Sequence, residues 1–215
     1  MLQTVFGKRG PLKLLCLGAH SDDLEIGCGG AILRILEEYT QSEVHWVVFS
    51  AVGERATEAS ESAEIFLNKA AGKTILLKEF PDGLFPSVVS EIKTYFEGLK
   101  TIVSPDVIFT HYRQDLHQDH RLISDLTWNT FRNNMIMEYE IIKYDGDLGS
   151  PNCFFQLSQD IVEKKIKTLM TVFKSQQQRV WFTDETFKAL MRIRGVECNA
   201  NSKFAEAFYS RKILF

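Results

Sequence analysis

Histidine, proline and cysteine are all scarce in this sequence of 215 residues, with 5, 5 and 4. The cysteines, Cys16, Cys28, Cys153 and Cys198, form no C-x-x-C pair. That spacing argues against a disulfide scaffold and against a cysteine-ligated zinc. Thiols placed within apolar segments fit a reducing compartment, so the expected location is the cytoplasm. No apolar run approaches the roughly 18 residues needed to span a bilayer, and the leading MLQTVFGKRGPLK lacks the apolar core of a secretory signal. An excess of charge is missing too: 25 Lys+Arg against 28 Asp+Glu leave a net charge of -3. Nothing global draws such a chain to nucleic acid or to an anionic membrane. Repeats, low-complexity tracts and Pro/Ser linkers are also absent, so one domain over residues 1–215 is expected, as a monomer or small homo-oligomer. With 45% hydrophobic residues, it is large and apolar enough to fold without covalent or metal staples.

What is present is an alternation of short apolar runs with longer amphipathic ones. Strands are expected at Lys13–His20 (KLLCLGAH), Val44–Ser50 (VHWVVFS), Thr74–Leu77 and Asp106–His111 (DVIFTH). Between them, helical spacing is read from about Gly29 to Tyr39, across Ala59, Ala63, Phe66 and Leu67, over Val88–Leu99 after a Pro81-Asp82-Gly83 turn, and within His117–Asn133. Later strands are expected around Tyr139–Tyr144 and Phe154–Leu157, followed by helices from Asp160, capped by Ser158 or Asp160, and from Thr183 to Arg194. This order predicts an α/β protein with a doubly wound, mostly parallel sheet and helices on both faces. Such sheets bind ligands outside the carboxyl ends of their strands.

Both of the places singled out by that rule carry histidine and carboxylate. The first strand runs into His20-Ser21-Asp22-Asp23 and then Gly27-Cys28-Gly29-Gly30, and the fourth ends at His111 before Asp115-Leu116-His117-Gln118-Asp119-His120-Arg121. Four of the five histidines fall in these two segments, while His45 lies inside an apolar strand and reads as a packing residue. One imidazole and a carboxylate suit a divalent metal, zinc above all. Adjacent side chains on a turn diverge, so His20 and Asp23 can share a metal while Asp22 faces water or substrate. His117 and His120, one helical turn apart, each offer a third ligand, and three protein ligands with one open position are the pattern of catalytic zinc. The glycines match a dinucleotide fingerprint poorly, because carboxylates precede them and the second strand ends in Phe49-Ser50 rather than in an acid. They are read instead as letting a helix pack closely under the metal site.

AHSDD with GCGG, and DVIFTH with DLHQDHR, resemble the two signature motifs of the PIG-L/LmbE-like de-N-acetylases. Gly53-Glu54-Arg55, Lys174-Ser175-Gln176 and Phe204-Ala205-Glu206-Ala207-Phe208 also look like family features, so the resemblance spans nearly the whole chain. It implies a Rossmann-like, zinc-dependent hydrolase that removes acetyl groups from amino sugars. Carried over by position, His20, Asp23 and His120 would hold the metal and Asp22 would be the general base. His117 would steady the oxyanion, kept charged and oriented by Asp119. Ser21 replaces the usual proline, and Leu24 stands where a glutamate often follows the Asp pair, with Glu25 one place later. Arg55, His111, Arg113 and Asp115 border the motifs and are expected to line the pocket for a small acylated amino sugar or conjugate, and Arg121 also flanks it. The rival readings are a metal-dependent phosphoesterase, another amidase, and a non-catalytic nucleotide-binding module.

Overall fold

The computed structural model describes residues 10–213, so the first nine residues of the leading segment lie outside the described residues. Its strands are β1 (Lys13–His20), β2 (Glu43–Ser50), β3 (Gly72–Leu77), β4 (Val107–His111), β5 (Met135–Tyr139), β6 (Cys153–Gln156) and β7 (Ala205–Ser210). They form one seven-stranded sheet in the order β3-β2-β1-β4-β5-β7-β6. The pairings from β3 through β5 are parallel, whereas β7 is antiparallel to both β5 and β6. The chain builds β1, β2 and β3 toward one edge and returns to β4 beside β1. The sheet therefore reverses its winding between β1 and β4, where a crevice opens at the carboxyl ends. His20 and His111 are the last residues of those two strands.

β1 reads as a continuous apolar run because both of its faces are covered. Leu14 and Cys16 enter one core, with Trp46, Phe66 and Phe109, while Leu15, Leu17 and Ala19 enter the other, with Phe49, Phe85 and Phe96. That is the period-2 alternation of a strand. The helices α1 (Asp23–Glu38), α2 (Glu54–Phe66), α5 (Gln159–Val172) and α6 (Asp184–Glu197) pack over the first core, and α3 (Val89–Ile102) and α4 (Gln118–Thr130) over the second. Ser158 caps α5 by accepting from the Ile161 amide at 3.3 Å, and Thr183 caps α6 through the Thr186 amide at 3.1 Å.

Three elements differ from the sequence expectation. α1 begins at Asp23, not near Gly29. Its glycines lie within the helix, where each costs about 1 kcal/mol in propensity. Packing demands them nonetheless: a Cβ on Gly27 would come within 2.1 Å of the Tyr139 ring and one on Gly29 within 2.5 Å of Phe66. Around residues 139–144 the strand is displaced toward the N-terminus, so that β5 ends at Tyr139 and the chain then leaves the sheet. The third is β7, which has no counterpart among the expected strands; its AEAFYS sequence sets Phe208 and Tyr209 among two alanines and a glutamate that strands disfavour, yet every residue is buried.

Candidate active site

The turn after β1 directs its three polar side chains in different directions. The His20 amide donates to Asp23 Oδ2 at 2.6 Å, which folds Asp23 back beneath the strand end. Asp22 occupies the N-cap position of α1 but makes no capping hydrogen bond with its side chain. Its carboxyl is left for other work, with the Arg55 guanidinium 3.7 Å away. Burial, and then the neighbouring Asp23, push Asp22 up to about 6, partly offset by Arg55 and His20. Glu25, fully buried on the same helix, is raised to about 8 by burial.

His20, Asp23 and His120 meet across the β1/β4 crevice. His20 Nδ1 lies 3.2 Å from His120 Nε2 and 3.3 Å from Asp23 Oδ2, and His120 Nε2 lies 3.5 Å from Asp23 Oδ1. The opposite nitrogen of each ring is committed to carboxylate. His20 Nε2 faces Asp82 Oδ1 at 3.0 Å and Asp119 Oδ2 at 3.3 Å, and His120 Nδ1 faces Asp115 Oδ2 at 3.0 Å. Protons on those outer nitrogens leave two imidazole lone pairs and a carboxylate turned toward one point. Such an array repels itself unless positive charge lies between, and tetrahedral bonds of about 2.0–2.2 Å to a zinc-like cation would separate its ligands by about 3.3–3.6 Å. The donor set therefore fits a divalent cation. The carboxylates favour positive charge at this point: although burial alone would lower His20, Asp23, Asp119 and Asp82 hold it well above the usual imidazole value. Burial would raise Asp23, but His120, His111 and His20 keep it well below the usual carboxylate range.

His120 is fixed from behind. Its Nδ1 partner, Asp115, also accepts the His117 amide through Oδ1 at 2.8 Å, which ties the loop after β4 to the start of α4. A carboxylate on the outer nitrogen of a ligating histidine sets its tautomer and raises its donor strength. His111 stacks on His120 with centroids 4.0 Å apart and accepts the Ala19 amide at Nε2, 2.9 Å away, so it supports the crevice from below.

His117 is the N-cap of α4 and stands over the same point, with its ring 5.0 Å from His20 and 4.6 Å from His120. The structure corrects the expected pairing of His117 with Asp119. The Asp119 carboxylate accepts from the amides of Gly83 at 2.7 Å and Phe85 at 3.1 Å and faces His20, while it is the Asp119 backbone amide that donates to His117 Nδ1 at 3.3 Å. The helix start turns the Asp119 side chain toward the 83–85 turn. Burial, with His120 and His20, lowers His117, so the ring is neutral with Nε2 as its donor.

Arg55 lies at the site, with Nη1 2.8 Å from Asp82 Oδ2. Arg113 does not: its guanidinium pairs with Asp125 on the outer face of α4 at 3.0 Å, and both side chains are half-exposed. Arg121 is spent on the loop, donating to the Asp115 carbonyl at 3.0 Å. His45 lies on β2, away from the cluster. Asp82 and Lys143, whose Nζ is 3.0 Å from Asp115 Oδ2, belong to the site without having been singled out from the sequence. Pro81-Asp82-Gly83 had the signal of a turn, and only the fold brings that turn to His20.

Several solved structures share this architecture. A conserved protein of Thermus thermophilus is 21% identical, with a TM-score of 0.75, covering 95% of this chain and 97% of its own. The N,N'-diacetylchitobiose deacetylase of Pyrococcus horikoshii is 20% identical with a TM-score of 0.69, covering 93% of this chain and 83% of its own. The 4-carboxy-2-hydroxymuconate hydratase of Pseudomonas putida is 17% identical with a TM-score of 0.72, covering 95% of this chain and 98% of its own. At such identities the likeness is one of fold, and a fold that serves both a deacetylase and a hydratase does not decide the reaction. The sequence match is more specific: residues 15–131, which carry both His/Asp segments, match the PIG-L family, described as GlcNAc-PI de-N-acetylase. The chain belongs to the PIG-L family of metal-dependent de-N-acetylases.

Proposed function

We propose that the protein hydrolyses the N-acetyl group of an amino-sugar derivative, an N-acetylglucosamine-type sugar or conjugate, with zinc held by His20, Asp23 and His120. The observation that carries this reading is the convergence of His20 Nδ1, His120 Nε2 and the Asp23 carboxylate within 3.2–3.5 Å of one another, beside a buried Asp22 that caps nothing. When bound, such a cation polarises an acyl oxygen and brings the pKa of water down toward neutrality. Asp22, with its carboxyl near 6, is matched to take the proton of the attacking water and to return it to the departing amine, which is too basic to leave unprotonated. Neutral His117 offers Nε2–H to the oxyanion that develops on the acyl carbon. Arg55, held between Asp22 and Asp82, is placed to hydrogen-bond sugar hydroxyls. Free cysteines, three of them buried, support a cytoplasmic setting, and no helix among the described residues is long and apolar enough to cross a membrane.

The test is a panel of N-acetylated sugars, sugar conjugates and sugar phosphates offered to the zinc-loaded protein, with free amine, acetate and phosphate measured together. Equal release of amine and acetate from at least one amino sugar is the expected result. Turnover of only a phosphate ester, or of another amide, would overturn the proposed substrate class.

A further inference from the structure

Lys143 lies just past β5, on the segment that joins β5 to β6, and its side chain is only 8% exposed. It serves no chemistry in the mechanism above. Its ammonium sits 3.0 Å from Asp115 Oδ2, the same oxygen that His120 Nδ1 approaches at 3.0 Å. It also pairs with Asp147 Oδ2, an oxygen that accepts the Leu116 amide at 2.7 Å, and Asp145 Oδ2 is 3.9 Å away. Two segments far apart in sequence, 143–147 and 115–117, are thus fastened together at a shared carboxylate cluster. The cluster stands directly behind a metal-ligating imidazole. Without the lysine, Asp115 and Asp147 would share a buried pocket with no cation between them, and like charges there drive their side chains apart.

We propose that Lys143 is a positioning residue for the cation site: by holding Asp115 Oδ2 in place from behind, it fixes the orientation of the His120 ring and thereby the affinity of the site for a divalent cation. The inference rests on the proposed cation site and extends it to a residue outside both signature motifs. Partners of this kind, one step removed from the metal, commonly alter metal affinity by about 10–100-fold when lost.

Cobalt(II) binding tests it, by competition with a chelator and by the visible ligand-field spectrum, both independent of turnover. Lys143→Met is expected to weaken cobalt binding by about 10–100-fold and to change the spectrum, and Lys143→Arg, which keeps a cation on Asp115, to restore both toward wild type. If Lys143→Met proves too unstable to purify, Asp147→Asn keeps the lysine and removes its second anchor, and a smaller but measurable loss of affinity is expected. Cobalt binding by Lys143→Met, or in its place by Asp147→Asn, that matches wild type overturns the inference, as does an arginine variant no better than the methionine one. His120→Ala separates the two levels of argument. If it retains cobalt, the cation site itself is wrong; if it loses cobalt while Lys143→Met does not, only the role of Lys143 fails.

Discussion

Under α1 and beside β7, Lys165 is paired with Glu206 at 2.6 Å and Arg194 with Glu140 at 2.6 Å, all four as buried as the His/Asp cluster at the β1/β4 crevice. The two regions spend their charge differently. Glu206 accepts Lys165 and the amides of Gly30 and Ala31, Lys165 also donates to the Ile26 carbonyl, and Arg194 grips Glu140 with two parallel hydrogen bonds. Every charge there meets its opposite inside the protein. At the crevice, Asp22 is driven up to about 6, and His20 Nδ1 and His120 Nε2 turn toward a common point, 3.2 Å apart. Buried charge that is satisfied internally holds elements together; buried charge left unsatisfied is arranged for something that arrives from outside.

Five measurements put that contrast to the test. Asp22→Asn is expected to lower kcat by about 10²–10⁴-fold, the range of general acid–base catalysis, with metal content unchanged by elemental analysis. Loss of metal instead would exchange the roles assigned to Asp22 and Asp23. In the other region, Lys165→Met leaves Glu206 uncompensated and is expected to cost about 3–5 kcal/mol in urea denaturation, with kcat per folded molecule unaltered. A matching fall in kcat would mean that the pair takes part in the site. His117→Ala removes a single donor to the oxyanion, so kcat should drop by about 10²–10³-fold while metal is retained. Chelation should abolish deacetylation and lower the stability of the folded state by about 2.7 kcal/mol relative to protein held at a hundred times the cation Kd. The smallest effect is expected for Arg113→Ala. Its partner Asp125 is as exposed as itself, so stability should change by no more than about 0.5 kcal/mol and kcat/KM should stay at wild type.

Particular residues show why some features were legible in the sequence and others were not. His20, Asp22, Asp23, His117 and His120 stand in two short segments at strand ends, so residue type and spacing exposed them. The strands β1, β2 and β4 were legible because burial on both faces writes an unbroken apolar run. Ser158 announced its helix through local capping chemistry. The start of α1 was obscured because Gly27 and Gly29 obey the Tyr139 and Phe66 rings, which come from elsewhere in the chain. In β7, Glu206 is tolerated at a buried strand position because Lys165, 41 residues earlier, neutralises it. Arg113 was drawn into the expected pocket by its place beside the motif, and Asp125 turned it outward.

The scarcity of histidine proved informative, since the few present are concentrated where an α/β sheet binds its ligands. Sequence alone determined the class of fold, the two motif segments and the chemistry of their donors, because those follow from local periodicity and from residue type. Tertiary contacts alone set which nitrogen of each imidazole faces the crevice, that Asp119 serves His20 and the 83–85 turn, that Asp82 stands behind His20, and that Lys143 holds the carboxylate behind His120. Those features depend on contacts between segments tens of residues apart, and no local pattern encodes the direction in which a side chain finds its partner.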